Sequence, residues 1–132
     1  MILYKTGNNL LVEEVVELYN NSGLGVRRPV GDKNKMKGMF ANANLVISAW
    51  DNKIIVGIAR ALSDFSYITY LSDIAVRKEY QRKGIGKELI NQLKKAAGTK
   101  IVLLSAPDAE QYYPKIGFHK HNSAWVLSFE GK

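Results

Sequence analysis

Apolar residues change period several times along this chain, and each change marks a new element. Residues 1–6 can form a first strand. Leu11, Val15 and Leu18 then recur at helical spacing, which predicts an amphipathic helix over residues 10–21. Gly23, Gly25, Pro29 and Gly31 break that pattern into a basic loop carrying Arg27 and Arg28, and a short helix with Met36, Met39 and Phe40 follows. The apolar run from Leu45 to Trp50, the polar pair Asp51-Asn52 and a second run from Lys53 to Leu62 read as a β-hairpin. Residues 66–76, rich in Tyr, Ile and Thr, make another strand.

Helical spacing returns with Ile85, Leu89, Ile90 and Leu93 and stops near Gly98. The continuous apolar stretch Ile101–Leu104 suits a buried strand. A short helix over 108–116 ends at Gly117, and Phe118–His121 with Trp125–Phe129 predict a final strand pair. The order is β-α-α-β-β-β-α-β-α-β-β. No linker, repeat or low-complexity tract interrupts it, so one domain over residues 1–132 is expected.

Composition narrows the classes. A chain of 132 residues with 46% hydrophobic and 23% charged residues can bury a core of its own. It has no cysteine, which removes disulfides, zinc–thiolate sites and a cysteine nucleophile and points to the cytoplasm. His119 and His121 alternate on one predicted strand and read as surface residues, so no metal is expected. No signal core or membrane-length apolar run is present, so no membrane partner is expected. The 19 Lys and Arg against 12 Asp and Glu give +7, but these charges are dispersed, which argues against nucleic acid as the partner.

The densest chemical signal is Asp73-Ile-Ala-Val-Arg-Lys-Glu-Tyr-Gln-Arg-Lys-Gly-Ile-Gly-Lys-Glu-Leu-Ile90: a strand, a basic glycine turn and a helix start. A helix N-terminus offers unpaired N–H groups and a positive dipole end. Gly84 and Gly86 let phosphates approach that backbone, and Arg77, Lys78, Arg82, Lys83 and Lys87 add charge. A dinucleotide fingerprint would need a third glycine where Leu89 stands, and a Walker loop would need four residues between its glycines.

Gln81, Gly84 and Gly86, directly after an apolar strand, resemble the cofactor motif of the GNAT superfamily of acyl-CoA-dependent N-acyltransferases. Ala109-Glu-Gln-Tyr-Tyr-Pro-Lys-Ile-Gly-Phe118 resembles a second pattern of that family, and the element order matches its fold. The resemblance implies an α/β (α+β) architecture. Its central sheet would be mixed, mostly antiparallel and of six to seven strands, with about four helices and a splayed strand pair at the cofactor site. It implies acetyl-CoA as donor and a primary amine as acceptor, whether a small molecule or a peptide. A homodimer is also consistent with the family.

By the same resemblance, Ile74, Ala75 and Val76 would pair with the pantetheine arm, and an N–H of Ile74 or its neighbour would polarise the thioester carbonyl. The backbone of Arg82, Lys83, Gly84, Ile85, Gly86 and Lys87, together with Gln81, would hold the pyrophosphate. Tyr113 falls on the tyrosine that protonates the departing thiolate, whereas Tyr112 reads as a packing residue with a wet hydroxyl. Many members carry asparagine seven residues before that tyrosine; here the position is Ala106. Asp73 is a candidate general base and equally a structural anchor for a neighbouring loop, with Arg60 as its expected partner. Two other classes remain: a non-catalytic CoA sensor on the same fold, and a basic nucleic-acid-binding protein.

Overall fold

The computed structural model of the chain describes residues 1–130. Five strands form one sheet in sequence order: β1 (Ile2–Thr6), β2 (Leu45–Asp51), β3 (Ile54–Ser63), β4 (Ile68–Val76) and β5 (Lys100–Val102). The first four pair antiparallel, and β5 joins β4 in parallel through the crossover helix α3 (Ile85–Ala97). The β2–β3 turn runs through Asn52 at φ 55°, a left-handed conformation that asparagine tolerates well.

Helices cover both faces of the sheet. Helices α1 (Val12–Ser22) and α2 (Lys33–Ala41) bring Val15, Leu18, Met36 and Phe40 against Val46, Ile55 and Ile58. Asp32 caps α2 by accepting a bond from the Lys35 N–H at 3.0 Å. On the other face, α3 buries Ile85, Leu89, Ile90 and Leu93 against Ile47, Ala59, Ala61 and Leu71. Leu89 and Leu93 have no exposed surface, so each contributes about 1.5–3 kcal/mol of hydrophobic stabilisation.

Gly57 on β3 sets how closely α3 approaches. A Cβ there would lie 3.1 Å from both Ile85 Cγ2 and Leu89 Cδ1, with the Ala75 carbonyl oxygen 3.4 Å away. Replacing Gly57 by valine should therefore cost about 1–3 kcal/mol through overpacking, read as a lowered urea midpoint. An unchanged midpoint would mean that α3 shifts outward without loss.

Three parts of the architecture differ from the sequence expectation. The stretch Ile101–Leu104 is not a buried strand, since β5 spans Lys100–Val102 at the sheet edge and Val102 and Leu104 are exposed. The others concern element number and the C-terminal third. The described residues contain five strands and three α-helices instead of six to seven and about four. Residues 108–116 form two short 3₁₀ turns, Pro107–Ala109 and Tyr113–Ile116, rather than one helix. Phe118–His121 and Trp125–Phe129 form no strand, and Trp125 and Phe129 are 92% and 105% exposed. Alternation alone does not make a strand. The backbone needs a hydrogen-bonding neighbour, and none of the sheet's edges receives this segment.

The feature that shapes the site is a bulge on β4. Arg60 faces Asp73 and Ala61 faces Leu71, so Ser72 is the extra residue. The bulge exchanges the faces beyond it. Leu71 points to α3, while Asp73 and Ala75 point to α1 and α2, leaving Ile74 and Val76 on the α3 side. Strict alternation would separate Tyr70 from Asp73; across the bulge both lie on the α1/α2 side, as their partners Leu62 and Arg60 do.

Candidate functional site

Beyond the bulge, β4 loses its parallel neighbour. The β4–β5 pairing is confined to Ile68, Tyr70 and the Thr69 between them, opposite Lys100, Val102 and Ile101. Residues 71–76 continue without a strand on that side, because β5 ends at Val102. Pairing between the two strands thus stops at Tyr70, in keeping with the splayed pair that the family resemblance implied, and an extended ligand could add to the exposed β4 edge as a further strand does.

That edge leads into the glycine turn. The Gln81 side chain folds back, its Nε2 donating to the Val76 carbonyl at 2.9 Å. Arg82 and Gly84 both take left-handed conformations, at φ 63° and φ 85°. For glycine this is free; for arginine it costs about 1–2 kcal/mol, a strain of the kind that clusters at ligand clamps and switch regions. Helix α3 begins at Ile85, and the Glu88 N–H closes its first turn onto the Gly84 carbonyl at 3.0 Å. The N–H groups of Ile85, Gly86 and Lys87 precede that bond and are free to face a phosphate. The side chains of Arg82, Lys83 and Lys87 are exposed around them.

Arg77 does not belong to this basic set. Its guanidinium is buried and forms a two-pronged pair with Glu17 of α1, at 2.8 and 2.7 Å, and it also donates to the Ile55 carbonyl. It fastens α1 to the end of β4, and hydrogen bonding from Arg77 holds the Glu17 carboxyl below its ordinary range.

Tyr113 packs into the α3-side cluster together with Ile74 and Val76. Its ring meets Tyr112 and Phe118 edge-on, with centroids 5.4 and 5.5 Å apart. Burial, with the neighbouring Tyr112, raises its pKa, so its phenol stays protonated at neutral pH. Tyr112, read from the sequence only as a packing residue with a wet hydroxyl, stands beside the glycine turn. Its hydroxyl lies 3.1 Å from where a Cβ on Gly86 would sit, and burial raises its pKa too. Ala106, at the usual asparagine position, opens a 3₁₀ turn and accepts the Ala109 N–H at 2.9 Å.

Asp73 lies on the opposite face from Tyr113 and is sealed. It is 1% exposed, and its oxygens receive Arg28 Nε, Arg60 Nε and the Tyr19 hydroxyl, each at 2.6 Å. The Ser72 hydroxyl adds a fourth contact at 3.2 Å. Burial alone would raise the Asp73 pKa, but hydrogen bonds from Arg60 and Tyr19 and the charge of Arg60 outweigh it and lower the value. Desolvation, with Asp73 beside it, pushes the Tyr19 phenol well above its usual range. The Arg60 partner was legible from neighbouring strands; Arg28 and Tyr19 were not, since both arrive from distant segments.

The sequence matches the family described as "Acetyltransferase (GNAT) domain" over residues 18–126. It is 32% identical over 127 residues to the uncharacterized N-acetyltransferase ycf52 of Pyropia yezoensis, covering 90% of this chain and 71% of that protein. The fold matches a probable acetyltransferase of meticillin-resistant Staphylococcus aureus with a TM-score of 0.81 at 19% identity, over 98% of this chain and 100% of the other. It also matches an aminoglycoside N-acetyltransferase solved in complex with CoA, with a TM-score of 0.75 at 14% identity, over 97% and 94% of the two chains.

Proposed function

This chain belongs to the GNAT acetyltransferase family, and from that premise we propose that it transfers an acetyl group from acetyl-CoA directly to a primary amine. The observation that carries this reading is the open β4 edge beyond Tyr70 running into the unpaired N–H groups at the start of α3. Ile74, Ala75 and Val76 would hold the pantetheine arm, mainly through their backbone. The turn from Gln81 to Lys87 takes the pyrophosphate, with Arg82, Lys83 and Lys87 countering its charge. Bound acetyl-CoA supplies the thioester that the amine attacks.

The protein's own part is to hold this donor, exclude water from it, and deliver a proton. An N–H beside the β4 bulge stabilises the charge that develops on the carbonyl oxygen. As the C–N bond forms and the C–S bond breaks, Tyr113 gives its proton to the departing thiolate, a base close in strength to a tyrosinate, and the proton that the amine nitrogen sheds returns through water to the tyrosinate. The acceptor is a small-molecule or peptide amine, in keeping with a fold shared with an aminoglycoside N-acetyltransferase. Among the described residues no helix is long and apolar enough to cross a membrane. The exposed Trp125, Leu127 and Phe129 give a homodimer an apolar surface to bury.

Calorimetry with acetyl-CoA and CoA, followed by an amine-library screen reading released thiol, tests the proposal. Micromolar donor binding with amine-dependent thiol release is the expected result. No binding at millimolar donor removes the reading. Binding without thiol release for any amine would instead favour a CoA sensor.

A further inference from the structure

Residues 23–32 connect α1 to α2 and cross the α1/α2 face of the sheet beside the bulge. Among the described residues, the hydrogen bonds that tie this segment to the sheet all come from one side chain, Arg28. Its guanidinium uses all three nitrogens. Nε donates to Asp73 Oδ1 at 2.6 Å, Nη2 to the Ser72 carbonyl at 2.7 Å, and Nη1 to the Arg27 carbonyl at 2.8 Å. Ser72 is the bulged residue, so its backbone lacks the ordinary ladder partner that would hold it.

Arg60 secures the same point from beneath. Its Nη2 donates to the Ser72 hydroxyl at 2.8 Å, its Nε to Asp73 Oδ2, and its Nη1 to the Met39 carbonyl of α2 at 3.3 Å. Asp73 is therefore the hub from which two arginines reach the bulge. The planar guanidinium of Arg28 meets the carboxylate and the carbonyl with two different nitrogens in a fixed relative orientation, a geometry that the single nitrogen of a lysine ammonium does not reproduce.

We propose that Arg28 is a positioning residue for acyl transfer: by bridging Asp73 and the Ser72 carbonyl, it locks the α1–α2 segment onto the β4 bulge. This sets the backbone beside the bulge for the donor's carbonyl. The inference rests on the acetyl-transfer reading above, and it assigns Asp73 to the clamp and not to proton abstraction.

The test uses acetyl-CoA isotope-labelled at its acetyl carbonyl and bound to the full chain, with the carbonyl NMR signal as readout. In the unmodified protein the bound signal should move downfield from that of free acetyl-CoA. In Arg28→Met the downfield displacement should fall by about half or more, while donor affinity changes by less than about threefold, because the cradle at α3 is untouched. Arg28→Lys should keep more thermal stability than Arg28→Met yet lose the displacement as fully, which separates bridging from charge. Amide exchange across residues 23–32 should rise about tenfold in both variants.

A displacement that is identical in all three proteins overturns the inference, as does bound donor with no displacement in the unmodified chain. Should Arg28→Met fail to fold, Arg28→Lys alone decides by the same criterion. Failure of the unmodified protein to bind acetyl-CoA removes the parent reading instead, so the two failures are distinct.

Discussion

Replacing Asp73 by alanine should destabilise the fold by about 3–5 kcal/mol, the usual cost of removing one partner from a buried ionic cluster. Arg60, 9% exposed at its side chain, would keep its charge without a counter-ion, and the Tyr19 hydroxyl would lose its acceptor. Against a total of about 5–15 kcal/mol for a domain, that loss is a large fraction and would appear directly in a urea titration. Adding Arg60→Met to the same protein should recover part of it, because the unpaired charge leaves with the side chain. A loss below about 1 kcal/mol would mean that water enters and solvates the arginines.

The same cluster sets an acid limit. The folded Asp73 pKa is lowered, so the unfolded chain binds the proton more readily than the folded one. Its stabilisation is therefore fully present above the unfolded carboxylate value of about 3.9 and is lost as pH falls through the lower folded value. The lowered Glu17 pKa acts with the same sign. Unfolding midpoints should fall steeply below about pH 4, and Asp73→Ala should flatten that dependence.

Tyr113→Phe should lower turnover by about 10²–10⁴-fold while leaving acetyl-CoA affinity nearly unchanged. The ring is half-buried against Phe118 and Tyr112, so phenylalanine preserves the packing and removes only the hydroxyl. Without that proton the thiolate must leave as an anion. Tyr112→Phe is the informative comparison: its hydroxyl sits beside Gly86 at the start of α3, so its loss bears on donor binding more than on turnover. Equal turnover in Tyr113→Phe and the unmodified protein would strip Tyr113 of the acid role.

Elements with a strong local period were legible in the sequence. The hairpin of β2 and β3, the strand β4, and α3 ending at Gly98 follow from apolar spacing and glycine punctuation, because burial repeats with the same period as the backbone. The bulge was not legible as a position. Nothing in Ser72 marks it, since a bulge is a property of a pair of strands and their register. The C-terminal segment failed for the complementary reason. Trp125 to Phe129 has a strand's pattern, but pairing depends on an edge that the local sequence does not encode. At the site, Gln81 to Lys87 reads directly because a phosphate turn is contiguous. The Asp73 cluster draws on Tyr19, Arg28 and Arg60, whose convergence only tertiary structure supplies.

The brevity of the β4–β5 ladder also bears on the order of folding. Strands β2 to β4 meet as a meander, and β1, though it pairs across a long connection, gains five paired residues; β5 reaches β4 only after all of α3 has intervened and gains only three. Closing that long loop for so little ladder is costly, so β5 should dock late and detach early. The crevice between β4 and β5 is thus the least cooperative part of the sheet, and its opening is a low-energy excursion from the native state. A donor molecule that occupies it would slow amide exchange along β5 far more than along β2 or β3.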